Sequence, residues 1–386
     1  MAGSFSAVEM LERLVGFDTV SSKSNMALIE FVRSYLAGFG VEATIIPNED
    51  GTKANLWATI GPQESGGVAL SGHTDVVPVE GQPWDTDPFT LVEKDGRYYG
   101  RGTCDMKAFP ATALALVPEM LAKPLRRPIH FAFSYDEEIG CYGAAKMIPE
   151  IVENLPRPSV VIVGEPTSMK VVSAHKGMWD FDVTVTGKEV HSSLPHKGVS
   201  AVMNGARLIA KLDEMAKARA AAADPDCPFE PPYSTIHVGT AAGGTASNIV
   251  SRRFSFHVDI RHLPDEFPKD IQDEFVAWYE AEILPDMHAV DPGTGIEIGE
   301  VHAVPGLKKD LDSEAEQFVR QITGDNGVHV VSYGTEAGQF QQAGMASIIC
   351  GPGSIEQAHQ PNEFIDKNQV VACEEFLRNV IGRCRA

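Results

Sequence analysis

The sequence predicts an α/β protein: a mixed, mostly parallel sheet with helices on both faces, carrying a smaller inserted α+β domain. Three observations lead there. Apolar runs at Gly67–Leu70, Ile129–Ser134 and Val160–Val163 read as buried strands and alternate with helical patterns. Each run ends in polar residues: Ser71-Gly72-His73-Thr74-Asp75, Tyr135-Asp136-Glu137-Glu138 and Gly164-Glu165-Pro166. The carboxyl edge of an open α/β sheet is where such folds build their sites. From Trp179 the order becomes strand, helix, strand, strand, helix, strand, which is ferredoxin-like. Residues 179–301 are therefore expected as an insertion between the two parts, 1–178 and 302–386, of the larger domain. A chain of 386 residues is long enough for both cores.

Taken in order, Ser6-x-x-Glu9 has the form of a capping box opening a helix through Leu11, Leu14 and Val15. Leu28, Phe31, Val32, Tyr35, Leu36 and Phe39 recur at helical spacing, and Gly40 supplies the stop. Strands follow at Val41–Ile46 and Ala54–Ile60, and Asp95-Gly96 predicts a tight hairpin. Gly100-Arg101-Gly102-Thr103-Cys104-Asp105-Met106-Lys107 leads into a helix over Ala108–Leu121. That loop lacks the Gly-x-x-x-x-Gly-Lys-Ser/Thr spacing of a phosphate-binding loop; it presents one carboxylate, Asp105, at a helix mouth.

Within the insertion, strands are expected at Asp180–Thr186, Thr235–Val238, Phe254–Ile260 and Ile296–Ile298, with helices at Val199–Met215 and Lys269–Leu284. The first pattern then returns. A helix at Ser313–Ile322 and a buried strand at Ser347–Cys350 precede the loop Ala358-His359-Gln360-Pro361-Asn362-Glu363, and a last helix spans Lys367–Cys384.

The formal charge of −21 opposes binding to nucleic acid or anionic membrane and favours cationic small molecules. Six cysteines without a Cys-x-x-Cys pair fit reduced thiols. No apolar run approaches a membrane span and no leader pattern is visible, so a cytoplasmic location is expected.

His73 at a strand end, with Asp75 two residues on, has the form of a metal-binding histidine and the carboxylate that orients it. Alone, the pair also fits a histidine with no function. Its company is Asp105, Glu137, Glu138, Glu165 and His359. Two histidines and three or four carboxylates on five loops suit two Zn²⁺-like ions, whose nitrogen and oxygen ligands include a bridging carboxylate.

Six motifs in order carry a resemblance over nearly the whole chain: Gly72-His73-Thr74-Asp75-Val76-Val77-Pro78, Arg101-Gly102-x-x-Asp105-Met106-Lys107, Asp136-Glu137-Glu138-x-Gly140, Gly164-Glu165-Pro166-Thr167, His191-Ser192-Ser193 and His359-x-Pro361-Asn362-Glu363. Together they resemble the M20 metallopeptidase and deacylase family. The resemblance implies a zinc-aminopeptidase-like catalytic domain, a ferredoxin-like dimerisation or lid domain, and two Zn²⁺ per subunit, replaceable by Co²⁺. It makes His73, Asp105 and Glu165 ligands of one ion and Asp105, Glu138 and His359 ligands of the other, with Asp105 bridging and a cis peptide after it.

By the same resemblance Glu137 is the general base and Asp75 supports the site. His191 reaches in from the partner of a homodimer to hold the oxyanion; alone it equally fits a surface histidine in a strand-helix turn. Asn248 and Arg261 match family positions that hold substrate, though each also fits a structural role. Gly334-Thr335-Glu336-Ala337-Gly338-Gln339-Phe340 resembles the acetylornithine deacetylase branch, with Glu336 a candidate partner for a substrate ammonium. The implied reaction is hydrolysis of an N-acyl amino acid, N2-acetyl-L-ornithine foremost. Succinyl-diaminopimelate desuccinylases, aminoacylases and dipeptidases of the family are the alternatives.

Overall fold

The computed structural model describes residues 3–310 and 312–386. It divides into two compact units: the chain up to Ala174 with Leu307–Val330 and Thr335–Ala386, and His175–Gly306 with Val331–Gly334.

An eight-stranded sheet runs in the order Ala43–Pro47, Ala54–Ile60, Ile129–Ser134, Val68–His73, Val160–Pro166, Ala346–Gly351, Val172–His175, His329–Val331. Its middle is parallel, from Ile129–Ser134 through Val68–His73 and Val160–Pro166 to Ala346–Gly351. The pairings of Ala54–Ile60 with its two neighbours, and of Ala346–Gly351 with Val172–His175, are antiparallel. Strands covered on both faces need no alternation of apolar and polar residues. Accordingly every residue of Ala54–Ile60, Val68–His73, Ile129–Ser134 and Val160–Pro166 is buried.

Leu56, Leu70, Phe131, Phe133 and Ile162 turn toward one face, sharing a core with helices Ala7–Val15, Met26–Ala37, Ala108–Ala115, Glu314–Thr323 and Lys367–Arg385. Helices Tyr142–Asn154 and Ala337–Gln342 pack on one another and on the sheet outside that core. The capping box at Ser6 forms, with reciprocal bonds to Glu9. The helix expected over Ala108–Leu121 is two, Ala108–Ala115 and Val117–Leu121. Pro118 lacks the N–H that a continuous helix needs.

Register places the site. Ser71 pairs with Val163, so two residues on His73 and Glu165 leave neighbouring strands on the same side. His73 itself pairs with Ser134, the residue before Tyr135-Asp136-Glu137-Glu138. Asp95 and Gly96, at φ 51° and 79°, form the hairpin turn, whose left-handed twist asks for such residues. The hairpin gains a third strand, Phe364–Asp366, pairing Phe364 with Tyr99. The Gly100–Asp105 loop and the loop carrying His359 thus run side by side, with Gly100 N donating to Glu363 O at 3.0 Å.

In the second unit the antiparallel order is Thr235–Gly243, Arg253–His262, Gly177–Thr186, Gly295–Ile298. Helices Ala201–Ala221 and Pro268–Glu282 share its core with Phe181, Val183, Val185, Phe256, Val258 and Ile260. Strand His302–Val304 extends the edge of Gly177–Thr186. That strand, with Val172–His175, His329–Val331 and Phe364–Asp366, was not expected from the sequence. Three or four residues are too few for a period to show.

Candidate metal centre

Six side chains of the first unit converge at the sheet's carboxyl edge. His73 Nε2 lies 3.0 Å from Asp105 Oδ1 and 3.9 Å from Glu165 Oε1. His359 Nε2 lies 2.9 Å from Glu138 Oε2 and 3.3 Å from Asp105 Oδ2. The two oxygens of Asp105 thus face different histidines, the arrangement of a bridging carboxylate. The Asp105–Met106 peptide is cis, as the resemblance implies.

His73 Nδ1 is 2.9 Å from the Asp75 carbonyl oxygen, which can only accept, so this nitrogen carries the proton and Nε2 offers its lone pair. The Asp75 carboxylate is farther, at 3.6 Å. This corrects the expected pairing: the main chain orients His73. The Asp75 carboxylate instead accepts from Ser21 Oγ at 2.7 Å and Glu137 N at 3.1 Å, fixing the turn that carries both glutamates.

The charges fit cations. Burial pushes the carboxyls of Glu137 and Glu165 well above their usual range, and neighbouring carboxylates raise them further. Glu138 is raised to about 7, chiefly by burial and then by Asp105. Burial opposes the charged forms of Asp105 and His73, but hydrogen bonds override it: those with His359 and then His73 lower Asp105, and that with Asp105 raises His73. His359 rises to about 10 through hydrogen bonds with Asp105 and Glu138. Crowded acids of this kind are costly unless a cation joins them. Glu138 Oε1 and Glu165 Oε1 are buried without a hydrogen-bond partner among the described residues, as ligand atoms awaiting an ion would be.

His73, Asp105 and Glu138 have ligand atoms close enough for one ion, and so do His73, Glu137 and Glu165, all within 4.8 Å. Distance alone therefore admits Glu137 as a ligand. Its Oε1 accepts the Cys141 thiol at 3.4 Å.

Glu336 is as buried as His73 and adds negative charge beneath the site. Its Oε2 accepts from Ser71 Oγ at 3.4 Å, two residues back along the strand from His73. Burial raises its carboxyl to about 7.

His191, Asn248 and Arg261 belong to the second unit. His191 pairs with Ile249 as an isolated bridge, and Ser192 N donates to Asn248 O at 2.9 Å, so the His191 and Asn248 loops run together. His191 Nδ1 accepts from Ser193 N at 3.2 Å. Arg261 forks onto Asp259, with Nε to Oδ1 at 3.0 Å and Nη2 to Oδ2 at 2.9 Å. Asp259 lies within reach because position i+2 returns to the same sheet face.

Sequence reasoning quoted Arg101 and Glu363 without a role. Both are buried and pair at 2.7 Å. Glu363 also accepts from Gly102 N, Cys104 N and Asp105 N at 3.0, 2.8 and 3.0 Å, cradling the loop that aims Asp105. Lys53, paired with Asp136 at 2.6 Å beside Glu137, carried no signal because its partner lies 83 residues away.

The model of peptidase family M20/M25/M40 matches residues 69–383. An acetylornithine deacetylase of Myxococcus xanthus is 35% identical over 377 residues, 96% of this chain and 96% of that protein. An M20 family metallo-carboxypeptidase from Sulfolobus solfataricus has the same fold at 17% identity, with a TM-score of 0.75 over 99% of both chains. A dinuclear metal binding peptidase of the M20 family from Bacillus subtilis superposes at 16% identity with a TM-score of 0.65, over 98% of this chain and 97% of that one. Motifs, fold and clustered ligands agree with these matches: the chain belongs to the M20/M25/M40 peptidase family and is a metal-dependent hydrolase of amides.

Proposed function

We propose that the chain hydrolyses N2-acetyl-L-ornithine to L-ornithine and acetate, as a step of arginine biosynthesis, and that it works as a cytoplasmic homodimer. The observation that carries the chemistry is the split engagement of Asp105, one oxygen toward His73 at 3.0 Å and the other toward His359 at 3.3 Å. The identity to an acetylornithine deacetylase over 96% of the chain supports the substrate. No helix among the described residues is long and apolar enough to cross a membrane.

In this reading His73, Asp105 and Glu165 hold one Zn²⁺ and Asp105, Glu138 and His359 the other, Co²⁺ being able to replace them. Such ions polarise a substrate carbonyl and make a water acidic enough to react at neutral pH. Glu137 takes the proton of the attacking water and returns it to the leaving amine, one group serving both steps. Asp75 holds Glu137 by its backbone N–H at 3.1 Å, so the base stays aimed while its charge changes. His191 Nε2–H, supplied by the partner subunit, donates to the oxyanion, and Asn248 assists from the adjoining loop.

The substrate is tested with a panel of N2-acetyl-L-ornithine, succinyl-diaminopimelate, acetylmethionine and simple dipeptides, with and without added Zn²⁺ or Co²⁺. The highest kcat/KM is expected for N2-acetyl-L-ornithine; a competitor cleaved about tenfold better would assign the specificity elsewhere. The dimer is tested by mixing His191→Ala and Glu137→Ala proteins. Each alone is expected to be strongly impaired, and exchange of subunits is expected to restore turnover in mixed dimers. Proven exchange without recovery contradicts a histidine acting across the interface.

A further inference from the structure

His73 and Glu165 stand on strands whose register aims them. His359 has no such support. It sits on a loop with φ at 61°, a conformation that non-glycine residues hold only where their surroundings impose it, and 53% of its side chain is exposed. A connected set of hydrogen bonds supplies the hold. Gln82 Nε2 donates to the His359 carbonyl at 3.0 Å, and Gln82 Oε1 accepts from Arg101 Nη2 at 2.5 Å and from Trp84 Nε1 at 3.1 Å. Arg101 Nη1 donates to Gln360 O at 3.3 Å and Glu363 Oε2 at 2.7 Å, with its guanidinium 5.0 Å from the centre of the Trp84 ring. Glu363 Oε1 then accepts Asp105 N at 3.0 Å. One path of bonds therefore runs from the main chain of His359 to the main chain of Asp105, the two residues that approach at 3.3 Å.

We propose that Gln82, its amide held by Arg101, is a positioning residue that sets the affinity of the Asp105, Glu138 and His359 site through His359, the ligand that the site of His73, Asp105 and Glu165 does not share. The proposal rests on the two-cation reading above. The physical reason is pre-organisation: a loop histidine free to turn must be ordered when the ion binds, and that cost falls on its site alone. Arg101 suits the task because its planar fork reaches Gln82 and Glu363 at once, which a lysine cannot do.

Metal-free protein titrated with Zn²⁺ by calorimetry, and with Co²⁺ by visible absorption, tests this without substrate. Wild type is expected to take up two ions in resolvable steps. In Gln82→Ala, a change at a half-buried loop residue, one step is expected to stay as in wild type and the other to fall about 10–100-fold. Gln82→Glu keeps the acceptor for Arg101 and loses the donor to His359, and Arg101→Lys keeps the charge against Glu363 and loses the fork. Gln82→Glu is expected to show the same selective loss, and Arg101→Lys, which also loosens Glu363 and with it the shared Asp105, is expected to weaken both steps. In the two Gln82 variants, unchanged affinities or equal weakening of both steps would overturn the proposal with the two-cation reading intact. Uptake of a single ion by wild type would remove that reading and the proposal with it.

Discussion

Glu137→Ala is expected to lower kcat by about 10²–10⁴-fold, the usual worth of a positioned acid-base group, with cation content unchanged. The expectation turns on which of two adjacent glutamates does which task. Glu138 Oε2 meets His359 Nε2 at 2.9 Å, so this side chain is committed to the ligand cluster. Glu137 turns the other way, toward the Cys141 thiol, and its carboxyl is held above the usual range by burial and by the carboxylates around it. That combination suits a group that must accept a proton and give it back. Yet Glu137 also lies close enough to His73 and Glu165 to ligate an ion. Metal analysis separates the roles: loss of one equivalent in Glu137→Ala would make it a ligand, and a near wild-type rate would take it out of the mechanism.

Asp105→Ala is expected to abolish both cation binding and turnover, the largest loss any single substitution should cause. Asp105 puts one oxygen 3.0 Å from His73 and the other 3.3 Å from His359, the tightest link between the two histidines among the described residues. His359→Ala, by contrast, is expected to lose mainly one ion. Because the ions bind only the folded state, their removal also costs stability, about 2.7 kcal/mol for an ion present at 100 times its Kd. Metal analysis and thermal melts with and without chelator measure both effects. Two ions retained in Asp105→Ala would refute the bridging assignment, and an unchanged melting temperature in wild type after chelation would refute the coupling.

The elements were legible wherever a period or a stop signal had room to repeat. Ala54–Ile60 and Ile129–Ser134 have the expected bounds, and Ser6 and Glu9 form their capping box. The helix break at Leu116 was written in Pro118 and passed over. Side-chain pairing was far less legible. Asp75 was assigned to His73 from sequence proximity, whereas the tertiary structure commits its carboxylate to Ser21, 54 residues away, and to Glu137 N, 62 away. Arg261, read as either a substrate fork or a structural residue, has its Nε and Nη2 on Asp259, its neighbour at i+2 on the same strand face.

By itself the sequence determined the chemistry on offer: apolar runs that must be buried, and at their ends the imidazoles and carboxylates that suit divalent ions. Those are properties of residue type and short-range spacing, which the chain carries whether folded or not. The tertiary structure alone decided which oxygen of Asp105 faces which histidine, that a carbonyl orients His73, and that Glu363 and Arg101 bind two distant loops together. These depend on strand register and on hydrogen bonds spanning up to 277 residues, as from Gln82 to His359, and they exist only once the sheet has brought its edges into line.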